Sequence, residues 1–125
     1  MILDTDVLID LEKGHLNARA WLASLSVLPS VCGFSAMELK RGSRDLKELR
    51  KIETFLHPFP IVWAMPQDLD TALHTHFHLS LSHGVGVLDF LIASTALGRQ
   101  EPLVTFNQKH FGAIPNLQTL QPYLR

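Results

Sequence analysis

Asp89 is the most informative side chain of the sequence. It sits near the start of the apolar run Val87 to Leu97, followed by Phe90, Leu91, Ile92 and Ala93. A carboxylate beside that much apolar surface is costly unless it is paired or binds a cation. Glu38, after Ala36-Met37, poses a milder form of the same problem. Asp4 ends the apolar run Met1-Ile2-Leu3, and Thr105 and Asn107 end a later run, Pro102-Leu103-Val104. In an open α/β sheet such strand ends face one crevice. If Asp4, Glu38 and Asp89 converge there, their charges repel and raise one another's pKa. A divalent cation relieves the repulsion, and ligands that are all oxygen suit Mg²⁺ or Mn²⁺ better than zinc. On nucleic acid, such an ion serves in-line attack of water on a phosphodiester. Each acid alone also has an ordinary structural reading. Asp4-Thr5-Asp6 can cap a first helix, Glu38 can complete a capping box with Ser35, and Asp89 can cap its own helix. It is their joint placement at strand ends and helix starts that favours a site.

The elements that must position these residues follow from periodicity. Met1 to Leu3 and Pro102 to Thr105 read as buried parallel strands, apolar throughout because both faces are covered. Val27 to Val31 and Phe59 to Trp63 read as two more, the latter weakened by Pro60. Helices are expected after Asp4 as far as Lys13-Gly14, over Leu16 to Leu25, from Ser35 to about Gly42, over Asp45 to Leu56, as one unit over Asp68 to Leu81, and over Val87 to Leu97. A helical turn to Phe111 and a short strand within Leu117 to Leu124 complete the chain. Strands alternating with helices predict an α/β fold, a three-layer α/β/α sandwich around a mostly parallel sheet, with residues 1–125 as one domain.

Composition narrows the class. Apolar residues make up 46% of the chain, enough for a core, and the formal net charge of -1 means that any nucleic acid must be held by a local patch. That patch is sought in Lys40, Arg41, Arg44, Lys47, Arg50 and Lys51, although a solvated helix face with Asp45 and Glu48 as partners explains it equally well. Cys32 is the only cysteine and reads as a small buried hydrophobe of a reducing compartment. No apolar run approaches the ~18 residues of a membrane span, and Asp4 and Asp6 interrupt the only early apolar stretch. No signal peptide and no membrane are expected, and a cytoplasmic location is. His74 and His78 share a helix face while His76 points away, and no cysteine lies nearby, so the histidine-rich stretch reads as surface. His110 reads as packing at a helix end.

Four ordered stretches carry a resemblance: Ile2-Leu3-Asp4-Thr5-Asp6-Val7-Leu8-Ile9, Ser35-Ala36-Met37-Glu38-Leu39-Lys40-Arg41-Gly42, Asp89-Phe90-Leu91-Ile92-Ala93-Ser94-Thr95-Ala96 and Leu103-Val104-Thr105-Phe106-Asn107-Gln108-Lys109-His110-Phe111. Together they resemble the motifs of PIN domains, and most of all the VapC-type toxin ribonucleases of bacterial toxin–antitoxin pairs. The resemblance implies a Mg²⁺ or Mn²⁺ ion held chiefly by Asp4 and Asp89, with Glu38 as a further acid and Asp6 as a possible one. It implies hydrolysis of RNA by metal-activated water and a cognate VapB-like antitoxin that blocks the cleft. Asn107 joins the catalytic set, and Thr105, Lys40, Arg41 and Arg44 a supporting, substrate-facing one. Two departures stand out. Asp6 occupies a position where the family often has Asn or Ser, and Asn107 and His110 stand where many members carry another acid, so one tightly held ion is expected. A homodimer completes the expectation. Two other readings compete. In a haloacid-dehalogenase-like phosphatase Asp4 would be the nucleophile and Asp6 the general acid, but the only acid after Asp89 is Glu101. A degenerate PIN module would bind RNA or protein without cutting.

Overall fold

The computed structural model describes all residues from Met1 to Arg125. Five strands form one sheet: β1 (Ile2–Leu3), β2 (Ser30–Cys32), β3 (Ile61–Val62), β4 (Leu103–Val104) and β5 (Thr119–Leu120). They are ordered β3-β2-β1-β4-β5, and every neighbouring pair is parallel. Successive strand residues point to opposite faces, so the three central strands, β2, β1 and β4, each feed two cores. Ile2, Cys32, Val62 and Leu103 enter one, while Leu3, Val31 and Val104 enter the other.

Helices cover both faces. On the Leu3 side lie α1 (Thr5–Glu12), α2 (Leu16–Ser24), α3 (Gly33–Arg41) and α4 (Leu46–Leu56). On the Ile2 side lie α5 (Pro66–Thr71), α6 (Leu79–His83), α7 (Val87–Arg99) and α8 (Gln108–Phe111). This is the expected three-layer α/β/α arrangement. Strand order reverses at the β1–β4 pair, so the crevice that a parallel sheet opens at such a switch falls beyond Leu3 and Val104. No helix is long and apolar enough to cross a membrane. Cys32 is buried and unpaired, with its Sγ 3.4 Å from Thr95 Oγ1, as a packed thiol should be.

Two local expectations are corrected. Helix α3 begins at Gly33, two residues before Ser35, because β2 passes into it directly with Cys32 as its N-cap. Ser35 is therefore inside the helix with its hydroxyl buried and unpartnered, and the expected capping box with Glu38 does not form. Trp63 lies against Gly33, where a Cβ would collide with the indole, and meets Phe34 edge-on at 5.3 Å between centroids. The stretch Asp68 to Leu81 is not one helix. It breaks into α5, a π-helical turn over Ala72–His76, and α6. Its apolar residues do not keep one stripe: Ala72 and Leu79 are buried, whereas Leu73 and Leu81 are exposed. The wider turn rotates the chain so that Leu79 regains the core, and Phe77 stacks on Phe90 at 4.8 Å. As expected, α3 and α4 are separate across Gly42, so Lys40, Arg44, Lys47 and Lys51 do not share one continuous helix face.

Candidate active site

Asp4 leaves β1 in extended conformation and is the N-cap of α1. Its Oδ1 accepts the Thr5 amide at 2.7 Å, and its Oδ2 accepts the Thr105 hydroxyl at 2.8 Å. Thr105 follows β4, is fully buried, and reaches Asp4 because β1 and β4 are paired in register. The same hydroxyl lies 3.3 Å from Asp6 Oδ2 and accepts the Asn107 amide at 3.0 Å. It has one proton to give, and the shorter contact assigns that proton to Asp4. Asp6 in turn accepts the Val7 amide at 2.7 Å and the Phe106 amide at 2.9 Å.

Asp89 stands one turn into α7, where its Oδ2 accepts the Gly86 amide at 3.1 Å and caps the helix as expected. The same oxygen lies 3.1 Å from His110 Nδ1. A carboxylate only accepts, so this contact selects the tautomer with hydrogen on Nδ1. Asn107 caps α8 by accepting the His110 amide at 3.4 Å, and its own amide lies 3.3 Å from the same imidazole nitrogen. Glu38 enters none of these bonds.

Asp4, Asp6, Glu38, Asp89 and Asn107 all line one cleft of about 340 Å³. A larger cavity of about 500 Å³ lies beside it between α1, α3 and α4, shares Thr5, Ile9 and Glu38 with it, and carries Lys13, Arg44 and Lys51. Of the expected supporting cations, Arg44 lines that second cavity and is held by Glu48 at 2.6 Å. Lys40 faces Glu53 at 3.8 Å beside Trp63, and neither Lys40 nor Arg41 lines the acid cleft.

Charge crowding shows in the acids themselves. Burial, then the charges of Asp6 and Asp89, push Asp4 up from 3.8 to about 7, against the opposing bonds from Thr105 and Thr5. Burial also raises Asp6, opposed by the Phe106 and Val7 amides and by the charge of Arg125. No three of the acids are drawn together as a ready-made cage. The donor set nevertheless fits a hard dication in kind: all oxygen, mostly anionic, and with Asp4 so buried, and close enough to other acids, that it resists ionising without a counter-charge. Removing the Thr105 donor should raise Asp4 further. In Thr105→Val the acid limb of the pH–rate profile is expected to move up by about one unit, and Thr105→Ser should restore it.

Sequence reasoning placed the acids but missed the His110–Asp89 contact. The spacing of Asn107 and His110, one helical turn apart after β4, was the available signal.

The PIN-domain family model matches residues 1–117 of the chain. Ribonuclease VapC of Rickettsia bellii is 28% identical over 133 residues, covering 96% of this chain and 94% of that protein. Among solved structures, VapBC2 from Rickettsia felis, bound to a DNA fragment from its promoter, superposes with a TM-score of 0.80 at 25% identity, covering 95% of this chain and 96% of that one. VapBC-1 from nontypeable Haemophilus influenzae gives a TM-score of 0.76 at 26% identity, with 95% of each chain covered.

Proposed function

The chain belongs to the PIN-domain family, as a VapC-type member, and from that membership we propose that it is a metal-dependent endoribonuclease, the toxin of a toxin–antitoxin pair whose other member is a VapB-like antitoxin. The observation that carries the reading is Asp4: a buried acid, hydrogen-bonded to Thr105, on a cleft it shares with Asp6, Glu38 and Asp89. We further propose a cytoplasmic homodimer.

Asp4 and Asp89 are the principal holders of a Mg²⁺ or Mn²⁺ ion, and Glu38, unbonded on the same cleft, is the third. Such an ion makes water a nucleophile near neutral pH and stabilises charge on the phosphodiester oxygens. The chain supplies the rest. Thr105 fixes the Asp4 carboxylate, and His110 fixes that of Asp89. Asn107 brings a neutral amide to the lining of the cleft, where it can donate to a substrate phosphate oxygen without adding a fifth negative charge. Asp4 must give up its proton to serve, so metal affinity should rise with pH up to about 7.

The phosphatase reading fails on Glu101, the acid it would need for its ion. Glu101 is occupied by the Met1 amine at 3.1 Å and by Arg99 at 2.9 Å, and it does not line the cleft. A binding-only module is disfavoured because all three acids of the expected set line one cleft. RNA cleavage that EDTA abolishes, and that Mg²⁺ or Mn²⁺ restores, is the expected result; cleavage indifferent to EDTA rejects the metal-dependent mechanism.

A further inference from the structure

Asp10 is the second acid of α1 and lies outside the cleft, yet it is buried. A buried carboxylate needs partners, and all of its partners come from the far end of the chain. Its Oδ2 accepts the Tyr123 hydroxyl at 2.8 Å and Arg125 Nε at 3.1 Å, and its Oδ1 accepts Arg125 Nη2 at 3.1 Å. The guanidinium therefore grips both carboxylate oxygens, the strongest and most direction-specific geometry open to it.

The segment is anchored beyond this one acid. The Tyr123 ring stacks on His15 at 5.6 Å, and Asn17 Nδ2 donates to the Leu124 carbonyl at 2.8 Å. Both contacts fix it to the α1–α2 hairpin. On its other side it meets the residue that follows Thr105. Tyr123 packs edge-on against Phe106 at 5.0 Å, and the Arg125 guanidinium lies 4.6 Å over the Phe106 ring. The Phe106 amide is the donor that holds Asp6 at 2.9 Å. A closed circuit results: Asp10 to Arg125, Arg125 to Phe106, Phe106 to Asp6, and back along α1. The two segments that it ties together are those that carry Asp4 and Asp6, and Thr105 and Asn107.

We propose that Asp10, Tyr123 and Arg125 are positioning residues, a strap that clamps the Thr105–Asn107 segment onto α1 and so sets the placement of Asp4 and Asp6 in the cleft. Its effect on rate rests on the nuclease reading above; its effect on the Phe106 amide does not. A strap of this kind acts locally, whereas a merely stabilising contact would act on every amide through global opening. Hydrogen exchange separates the two.

The test compares Arg125→Ala and the milder Tyr123→Phe with the wild type, as full chains. Amide exchange is followed at Phe106 and, as a control, at Val31, whose amide donates to the Pro60 carbonyl at 2.8 Å on the other side of the sheet. RNA cleavage is measured on the same samples. Exchange at Phe106 should quicken about tenfold in Arg125→Ala, and less in Tyr123→Phe, with Val31 unchanged. The kcat should fall roughly 10-fold with KM held within about twofold, the size expected for loss of an orienting partner. Equal acceleration at both amides, or none at Phe106, overturns the strap. Selective acceleration with unchanged kcat overturns its role in positioning the site. A wild type that does not cleave RNA overturns the nuclease reading, and the exchange result then decides the strap alone.

Discussion

Asp89→Asn is expected to lower RNA cleavage by about 10³-fold or more while leaving the fold intact. Asparagine keeps the shape and can still cap α7 by accepting the Gly86 amide, which Asp89 accepts at 3.1 Å. What is lost is one of the proposed anionic donors to the ion, together with the carboxylate that selects the His110 tautomer at 3.1 Å. Lewis-acid stabilisation by such an ion contributes several kcal/mol to the transition state, and each ~1.4 kcal/mol is tenfold in rate. The far-ultraviolet circular dichroism and the thermal midpoint should stay close to those of the wild type. Full activity in the purified variant would remove Asp89 from the mechanism.

Asp4→Asn is expected to abolish cleavage to a similar extent and yet to stabilise the metal-free protein. Asp4 has its folded pKa raised from 3.8 to about 7. Between those values the folded state binds more protons than the unfolded one, so stability falls as pH rises through that window and levels off above it. Over a window of roughly three pH units this amounts to at most about 4 kcal/mol, an upper bound because local relaxation reduces it. Asp10 and Glu101, whose pKa values are lowered by their Arg125 and Met1-amine partners, act in the opposite sense, but their window closes near pH 4, below the range of interest. Thermal melts in EDTA between pH 5 and pH 8 should therefore show a falling midpoint for the wild type. The curve for Asp4→Asn should be flatter, and its midpoint at pH 8 higher by about 5 °C or more. Mn²⁺ should narrow or erase the difference by stabilising the wild type more than the weaker-binding variant. A lower midpoint for Asp4→Asn at pH 8 without metal would contradict the crowding described here.

The two effects share one cause. The charge that the proposed dication would relieve is concentrated at Asp4, where burial is deepest. Thr105 offsets part of it with a donor at 2.8 Å, and the proposed ion would offset the rest.

The layered architecture was legible in the sequence because its strands are covered on both faces and so are apolar in every position, as Ile2-Leu3 and Leu103-Val104 show. Once the strands are located, parallel pairing brings Asp4 and Thr105 together, and the local pattern needs no more than that. Other features were hidden for definite reasons. The π-helical turn at Ala72–His76 breaks a stripe that looked continuous, since sequence spacing does not register one extra residue in a turn. Ser35 and Glu38 matched a capping box, but β2 runs straight into α3 and leaves no loop for a cap. The basic stretch divides at Gly42, with Arg44 in the turn before α4, so Lys40 and Arg44 end up beside different carboxylates. The bonds from Tyr123 and Arg125 to Asp10 join residues more than a hundred positions apart, and no helical or strand period reaches that far.

The central claim is that Asp4, Glu38 and Asp89 share one hard dication, and Mn²⁺ binding followed by electron paramagnetic resonance tests it without reference to any substrate. One tight ion per chain is expected in the wild type, with affinity weakened at least tenfold in each of Asp4→Asn, Glu38→Gln and Asp89→Asn. Undiminished binding of Mn²⁺ by the variant lacking all three carboxylates would contradict it.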